Sequence, residues 1–230
     1  MRSSDHRAAV GAAALALLLV VTGCGADGGG EAGGLGVVRW RGQSDGADGM
    51  LVSGDALYVA SPFVVTAFDT ESGEVRWEAE MDADTSGVTP MARDGDVVVV
   101  ATAFDGVEVF DARTGEPAIY RGEPPSEPYA DFELPPGYRY TGGELSFDGT
   151  VVWTGGDPEY APQVGRLGRM TIVNDFDTGL TVVAADGDVL FHAELDTPMY
   201  DESAVLVVER EGVAFTLTAD GKLWAIEEPG

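Results

Sequence analysis

Chemistry in this chain rests on few residue types. There is one cysteine, Cys24, there are two histidines, His6 and His192, and 40 Asp and Glu stand against 13 Lys and Arg. Cys24 follows Arg2 and Arg7, an unbroken run of apolar and small residues from Ala8 to Val21, and then Thr22-Gly23. A basic start, an apolar stretch and small residues before a cut are the marks of an export signal. Removing residues 1–23 also removes His6, so a Ser-His-Asp triad would have to use His192, which sits in a strand pattern at a position equivalent to Glu78. Acidic pairs abound, but no spacing singles out two carboxylates for acid–base work. Asp82-Ala83-Asp84-Thr85-Ser86-Gly87 begins like a calcium loop, with alternate oxygens before a glycine turn, yet Arg93 stands where its closing Glu belongs. Asp175 and Asp177 beside Gly179 are similarly incomplete. Turn aspartates are the simpler reading of all four.

The Val21-Thr22-Gly23-Cys24 segment resembles the bacterial lipobox, in which signal peptidase cuts before a cysteine whose thiol already carries a diacylglyceryl group. The resemblance implies that Cys24 becomes an acylated N-terminus bearing palmitate-type chains. Two or more such chains, at about 0.8 kcal/mol per buried CH₂, anchor a protein stably. The apolar run is shorter than the roughly 20 residues a spanning helix needs. With Cys24 acylated, no thiol remains for disulfides, thiolate catalysis or cysteine metal sites. Residues 24–36 form a glycine-rich tether, since this composition behaves as a flexible coil. The domain is then 37–230.

Charge excludes one class of partner. The whole chain carries a net charge of −27, and the processed one 11 basic against 39 acidic side chains, or −28. Phosphate backbones are bound by basic patches that release counterions, so nucleic acid is not expected. The acidity reads as a solvated surface that keeps a β-rich protein soluble.

The elements are β throughout. Short β-branched and aromatic runs alternate with Asp-Gly, Ser-Gly and Thr-Gly turns, and helical spacing is hard to find over any long window. A repeat of about 40 residues emerges. Met50, Met91 and Met199 fall in one register, each leading through a turn into a β run. Ala67-Phe68-Asp69-Thr70-Glu71-Ser72-Gly73-Glu74-Val75-Arg76-Trp77 recurs at Val109 to Ile119, where Asp111 and Gly115 are kept, Gly115 lies 42 residues after Gly73, and isoleucine replaces the tryptophan. Gly187 to Asp196 repeats the frame with Phe191 in the tryptophan position, and Ala219 to Trp224 repeats it with a shortened turn.

These residues resemble the repeat of pyrroloquinoline-quinone (PQQ)-type β-propellers, whose blades carry an Ala-x-Asp-x-x-Thr-Gly-x-x-x-Trp docking motif between the third and fourth strands. Ala67, Asp69, Gly73 and Trp77 fit it, with Ser72 in place of threonine. The resemblance implies an all-β propeller of four-stranded antiparallel blades, with Trp77 packed between blades and Phe191 and Trp224 in the same role. Four blades are legible, at 49–80, 87–121, 142–195 and 197–227. The third is irregular, with proline-aromatic residues from 122 to 140, a second insertion from Asp157 to Gly168 and an extra strand Met170 to Asn174. Val37 to Trp40 reads as a fourth strand with no blade before it, while Lys222 to Ile226 reads as the fourth strand of the last repeat. Either the N-terminal strand latches onto the last blade, or a degenerate blade hides in 122–180; an incomplete ring is a further alternative.

A repeat of this kind does not fix a function. Quinoprotein dehydrogenases share it, but they need PQQ, calcium ligands and a vicinal disulfide on a larger ring, and no such set is visible; the expectation is a non-enzyme without cofactor. Two readings follow. The first is a membrane-anchored extracytoplasmic scaffold whose partners are cell-envelope proteins; the second is a ligand- or calcium-binding sensory module. If the aspartates serve only turns, millimolar calcium leaves the melting temperature unchanged in thermal unfolding, and a rise would mark a calcium site.

Overall fold

The computed structural model describes residues 37–44, 46–47, 49–82, 90–102, 106–125, 134–195 and 206–229. Cys24, the segments 1–23 and 24–36, Asp84 and Met199 lie outside them. Eighteen strands form five antiparallel sheets among the described residues. Blade 1 is β2 (Gly49–Ser53), β3 (Ala56–Ser61), β4 (Val64–Asp69) and β5 (Val75–Glu80). Blade 2 is β6 (Met91–Asp94), β7 (Val97–Ala101) and β8 (Val107–Asp111). Blade 3 is β9 (Tyr138–Thr141), β10 (Glu144–Phe147) and β11 (Thr150–Thr154). Blade 4 is β12 (Gln163–Leu167), β13 (Met170–Asp175), β14 (Gly179–Val183) and β15 (Val189–Ala193). Blade 5 combines β16 (Leu206–Arg210), β17 (Val213–Leu217) and β18 (Lys222–Glu227) with β1 (Val38–Gln43) from the other end of the chain.

Two readings of the sequence are corrected by this topology. The range 142–195 holds parts of two sheets, so five blades replace the four that were legible, and Met170–Asp175 is an ordinary second strand. Lys222–Glu227 is the third strand of blade 5, because β1 pairs outside it and supplies the fourth. Trp224 is therefore on a third strand and does not occupy the docking tryptophan's place.

Strand burial follows position in the blade. The middle strands β13, β14 and β17 are buried along their whole length, and they are rich in Ile, Val, Leu, Thr and Phe. The outer strands are polar at alternate positions: β1 reads Val-Arg-Trp-Arg-Gly-Gln and β5 reads Val-Arg-Trp-Glu-Ala-Glu, and in each the tryptophan alone is fully turned in. A strand with one solvated face needs this period of two.

Hydrophobic clusters join the sheets face to face. Trp40, Met50, Leu57, Phe68, Phe215 and Leu223 join blades 5 and 1. Tyr58, Ala67, Trp77, Val98 and Phe110 join blades 1 and 2. Leu167, Ile172, Phe191, Ala214 and Trp224 join blades 4 and 5, and Tyr138, Leu145, Trp153, Val173 and Val183 join blades 3 and 4.

The joints at blade 1 share one geometry. The Trp77 ring lies so close to Gly115 that a Cβ there would come within 2.6 Å of it, and Trp77 Nε1 donates to the Ala112 carbonyl at 3.1 Å. The Trp40 ring covers Gly73 at the same 2.6 Å, and Trp40 Nε1 donates to the Thr70 carbonyl at 3.0 Å. Both glycines have positive φ, 72° and 73°, which a Cβ would strain in addition to the clash. Across the sheet Trp40 faces Ala225 as Trp77 faces Ala67, and each has a bulge beside it. The joint between blades 5 and 1 is thus assembled from both ends of the chain.

Both tryptophans are 8% exposed. Trp40→Ala and Trp77→Ala should each cost about 3–5 kcal/mol, the range for emptying a large aromatic from a core. Equilibrium urea unfolding measures it; a loss below about 1 kcal/mol at either site would refute equal joints.

Candidate functional site

The docking turn is built by its own aspartate. Asp69 Oδ1 accepts from the backbone N–H of Glu71 (2.9 Å) and Ser72 (2.8 Å) and from Ser72 Oγ (3.1 Å). Asp111 does the same for Arg113 N, Thr114 N and Thr114 Oγ1. Short acceptor side chains that bond the backbone two and three residues on stabilise such turns. Gly73 N–H and Gly115 N–H then donate to the carbonyls of Asp69 and Asp111, both at 2.9 Å.

In blade 1 the motif carries an ion pair as well. Arg76 Nη2 lies 2.6 Å from Asp69 Oδ2 and 2.8 Å from Asp55 Oδ2. The Arg76 guanidinium, helped by the Ser72 amide, brings the Asp69 carboxyl down to about 2. In blade 5 the same contact crosses the chain ends, with Arg39 Nε on Glu227 Oε2 at 2.8 Å. Glu227 N–H donates to Val37 O, Ser44 N–H to Gly221 O, and Gln43 Nε2 to Asp220 O, so β1 is fastened along its length.

The calcium candidates occupy different places. Asp175 is 3% exposed, and its Oδ1 is taken up by Asp177 N (3.1 Å), Thr178 N (2.8 Å) and Thr178 Oγ1 (2.9 Å). This is the docking-turn pattern, set between the second and third strands of blade 4. Asp177 and Asp82 are exposed. Among the described residues no three Asp, Glu, His or Cys side chains converge as a metal site. His192 Nδ1 lies 3.0 Å from Thr181 Oγ1 on the neighbouring strand of the same sheet.

Around the blades the joint decays. On β15, Phe191 stands opposite Val182 beside a bulge and packs against Trp224 with ring centroids 5.2 Å apart. On β11, Trp153 stands opposite Leu145 beside the same bulge, which marks β9, β10 and β11 as the second, third and fourth strands of blade 3. The sequence reading missed Trp40 and Trp153 as docking residues. Trp40 shares the tripeptide Val-Arg-Trp with Trp77, which was a usable signal; Trp153 follows a two-residue Asp148-Gly149 turn that has lost the Ala-x-Asp-x-x part of the motif and keeps only its Gly-x-x-x-Trp spacing.

Between blades 2 and 3 the joint is missing. The turn at Asp111 to Gly115 is complete, and Ala118 N–H donates to Val109 O at 2.8 Å, but the pairing stops at a single bridge between Phe110 and Pro117. Pro117 has no N–H to give to a ladder. Ile119, at the tryptophan's place, is 85% exposed. On the receiving side, Gly149 of the Asp148-Gly149 turn has nothing within 4 Å of where a Cβ would be. Among the described residues no hydrophobic cluster joins blades 2 and 3.

The segment 122–140 does not act as one loop. Tyr138 and Tyr140 belong to β9, where Tyr138 is buried with its hydroxyl 2.7 Å from Thr171 Oγ1 of blade 4. Tyr140 donates to the carbonyls of Gly155 and Asp157, and burial pushes its phenol up. Pro124, Pro125, Pro135 and Pro136 lie on the connection between blades 2 and 3, while Pro128, Tyr129 and Phe132 fall outside the described residues. Arg113 and Arg121 on the blade 2 side of this connection, and Arg139 on β9 beyond it, are exposed.

Sheets of up to four antiparallel strands, stacked face to face through aromatic joints, make this an all-β propeller. A family model described as outer membrane protein assembly factor BamB matches residues 26–130 of this chain. The crystal structure of BamB from Moraxella catarrhalis is similar at 14% identity over 80% of this chain and 84% of that one, with a TM-score of 0.37. The Cps50 (Swd1) β-propeller domain of Myceliophteria thermophila is similar at 10% identity over 84% and 99%, with a TM-score of 0.38. The computationally designed Ika4 protein is similar at 12% identity over 80% and 92%, with a TM-score of 0.31. No curated protein matches the chain.

The depressed Asp69 carboxyl has a definite sign. Its contribution is complete above the unfolded value of about 4 and is lost as pH falls through its folded value of about 2. The stability gap between wild type and Asp69→Asn should therefore narrow as pH drops across that window in urea titrations; a constant gap would show that the Arg76 contact contributes nothing.

Proposed function

We propose that this protein is a lipid-anchored, extracytoplasmic and non-catalytic scaffold that binds proteins of the cell envelope, with the seam between blades 2 and 3 as its contact surface. The observation that carries the reading is the lapse of the docking rule at that seam, where Ile119 stands 85% exposed in a position that elsewhere holds a buried aromatic. Interaction sites form around apolar surface that the fold leaves uncovered, and Ile119 is the apolar side chain that the missing joint leaves uncovered. The match of residues 26–130 to the outer membrane assembly factor family supports an envelope partner. The sole cysteine behind an export-type segment supports acylation at Cys24. The sensory reading gains less support, since the Asp69, Asp111 and Asp175 carboxylates already serve their own turns.

Crosslinking in intact cells followed by mass spectrometry tests the scaffold. A reproducible envelope partner is expected, lost in an Ile119→Asp, Arg121→Glu double variant; these exposed sites leave β9 intact, whereas deleting 122–140 would remove Tyr138 and Tyr140 from it. A partner that survives the double variant would move the contact elsewhere, and no partner at all would overturn the scaffold. Labelled palmitate should enter the wild type and not Cys24→Ala; equal labelling would refute acylation at that residue.

A further inference from the structure

The turn between the first and second strands opens with a residue of positive φ in four blades. It is Gly54 (63°) in blade 1, Gly95 (58°) in blade 2 and Gly168 (54°) in blade 4, but Glu211 (52°) in blade 5. Left-handed backbone is rare for side chains other than Asn and Asp, and such two-residue hairpins favour Gly, Asn or Asp there. A residue held in this region against its preference points to a role for its side chain.

Glu211 borders a cavity of about 110 Å³ between blades 5 and 1, whose walls include Arg39, Arg210, Gly54, Thr70 and Phe215. Arg210 Nη1 donates to the Val52 carbonyl at 3.0 Å, while its Nε stands 3.7 Å from Glu211 Oε1, too far for a hydrogen bond. Glu211 is 80% exposed. The contrast is with Arg76, which grips two carboxylates at 2.6 and 2.8 Å. Arg39 gives its Nε to Glu227, and a guanidinium has five N–H donors. A net charge of −27 repels anions from the molecule as a whole. Two guanidinium groups nonetheless line one cavity, Arg39 with its Nε on Glu227 and Arg210 with a carboxylate held only loosely at 3.7 Å.

We propose that this cavity binds an oxyanion of the carboxylate or phosphate class, held by Arg210 and Arg39, with Glu211 as a resident carboxylate that the incoming anion displaces. The volume suits a single carboxylate or phosphate head. Charge-assisted, forked contacts from arginine are the strong recognition mode for such groups. The site is separate from the seam between blades 2 and 3, and neither reading depends on the other.

Amide shifts of Gly54, Thr70 and Gly212 in the full chain, titrated at constant ionic strength with sodium acetate and separately with inorganic phosphate, test it. Saturable shifts are expected, and the probe with the tighter response names the class. Arg210→Gln should weaken binding at least tenfold. Glu211→Gly, which restores the residue the other three turns use, should tighten it at least threefold without lowering the melting temperature. Shifts that never saturate would overturn the site, as would affinity unchanged in a folded Arg210→Gln or weakened in Glu211→Gly.

Discussion

A tryptophan ring lying flat on the backbone of a glycine in the next sheet is the contact on which the described architecture turns. It combines three constraints at one point: the glycine must have no Cβ, its φ must be positive, and a carbonyl nearby must receive the indole N–H. Trp77 with Gly115 and Trp40 with Gly73 satisfy all three. The aspartate that opens each receiving turn makes the positive φ tolerable by satisfying the turn's amides with one carboxylate oxygen.

The other joints give up those constraints one at a time. Phe191 keeps the aromatic and the bulge but packs on Trp224 instead of a glycine. Trp153 keeps the ring and the register, while the blade's own turn has shrunk to Asp148-Gly149. Blade 2 keeps the turn and loses the ring. Other contacts hold where the joint weakens: Tyr138 bonds Thr171, and the Arg166 guanidinium lies 4.5 Å over the Phe147 ring, so blades 3 and 4 are tied by polar and cation–π contacts. At blade 4 the Glu228 carboxylate receives the Arg169 amide, tying the end of the chain to the neighbouring sheet.

Local chemistry was readable and long-range pairing was not. Turns such as Asp69 to Gly73 announce themselves because only a few residue types fit each position, and blade 1 was legible with nearly its observed bounds. The substitution of isoleucine at 119 was also visible, since it stands where the copy 42 residues earlier has Trp77. Blade 3 was hidden because its one diagnostic turn has two residues, which any hairpin uses. The place of Trp224 turned on a pairing the sequence leaves open: Val37 to Trp40 reads as a fourth strand without a blade, and only the pairing of β1 with Lys222–Glu227 shows that it completes the last one. The cavity beside Glu211 depends on two arginines from opposite ends of the sequence and leaves no local mark.

The pairing of β1 with β18 sets an order of events during synthesis. The first described strand is among the last to be seated, because its partner, Lys222–Glu227, is the last described strand to be made. Arg39 must find Glu227 across 188 positions, and contacts of such separation are slow to form. Until then β1 is a free strand, and its Val-Arg-Trp-Arg-Gly-Gln sequence suits that interval, since charged side chains at alternate positions discourage pairing with the wrong edge. A truncation that spared every other sheet but removed the last ten residues would leave this strand with no place to go. The first and last described strands therefore form one structural unit, although they are the most distant of the described strands in the sequence.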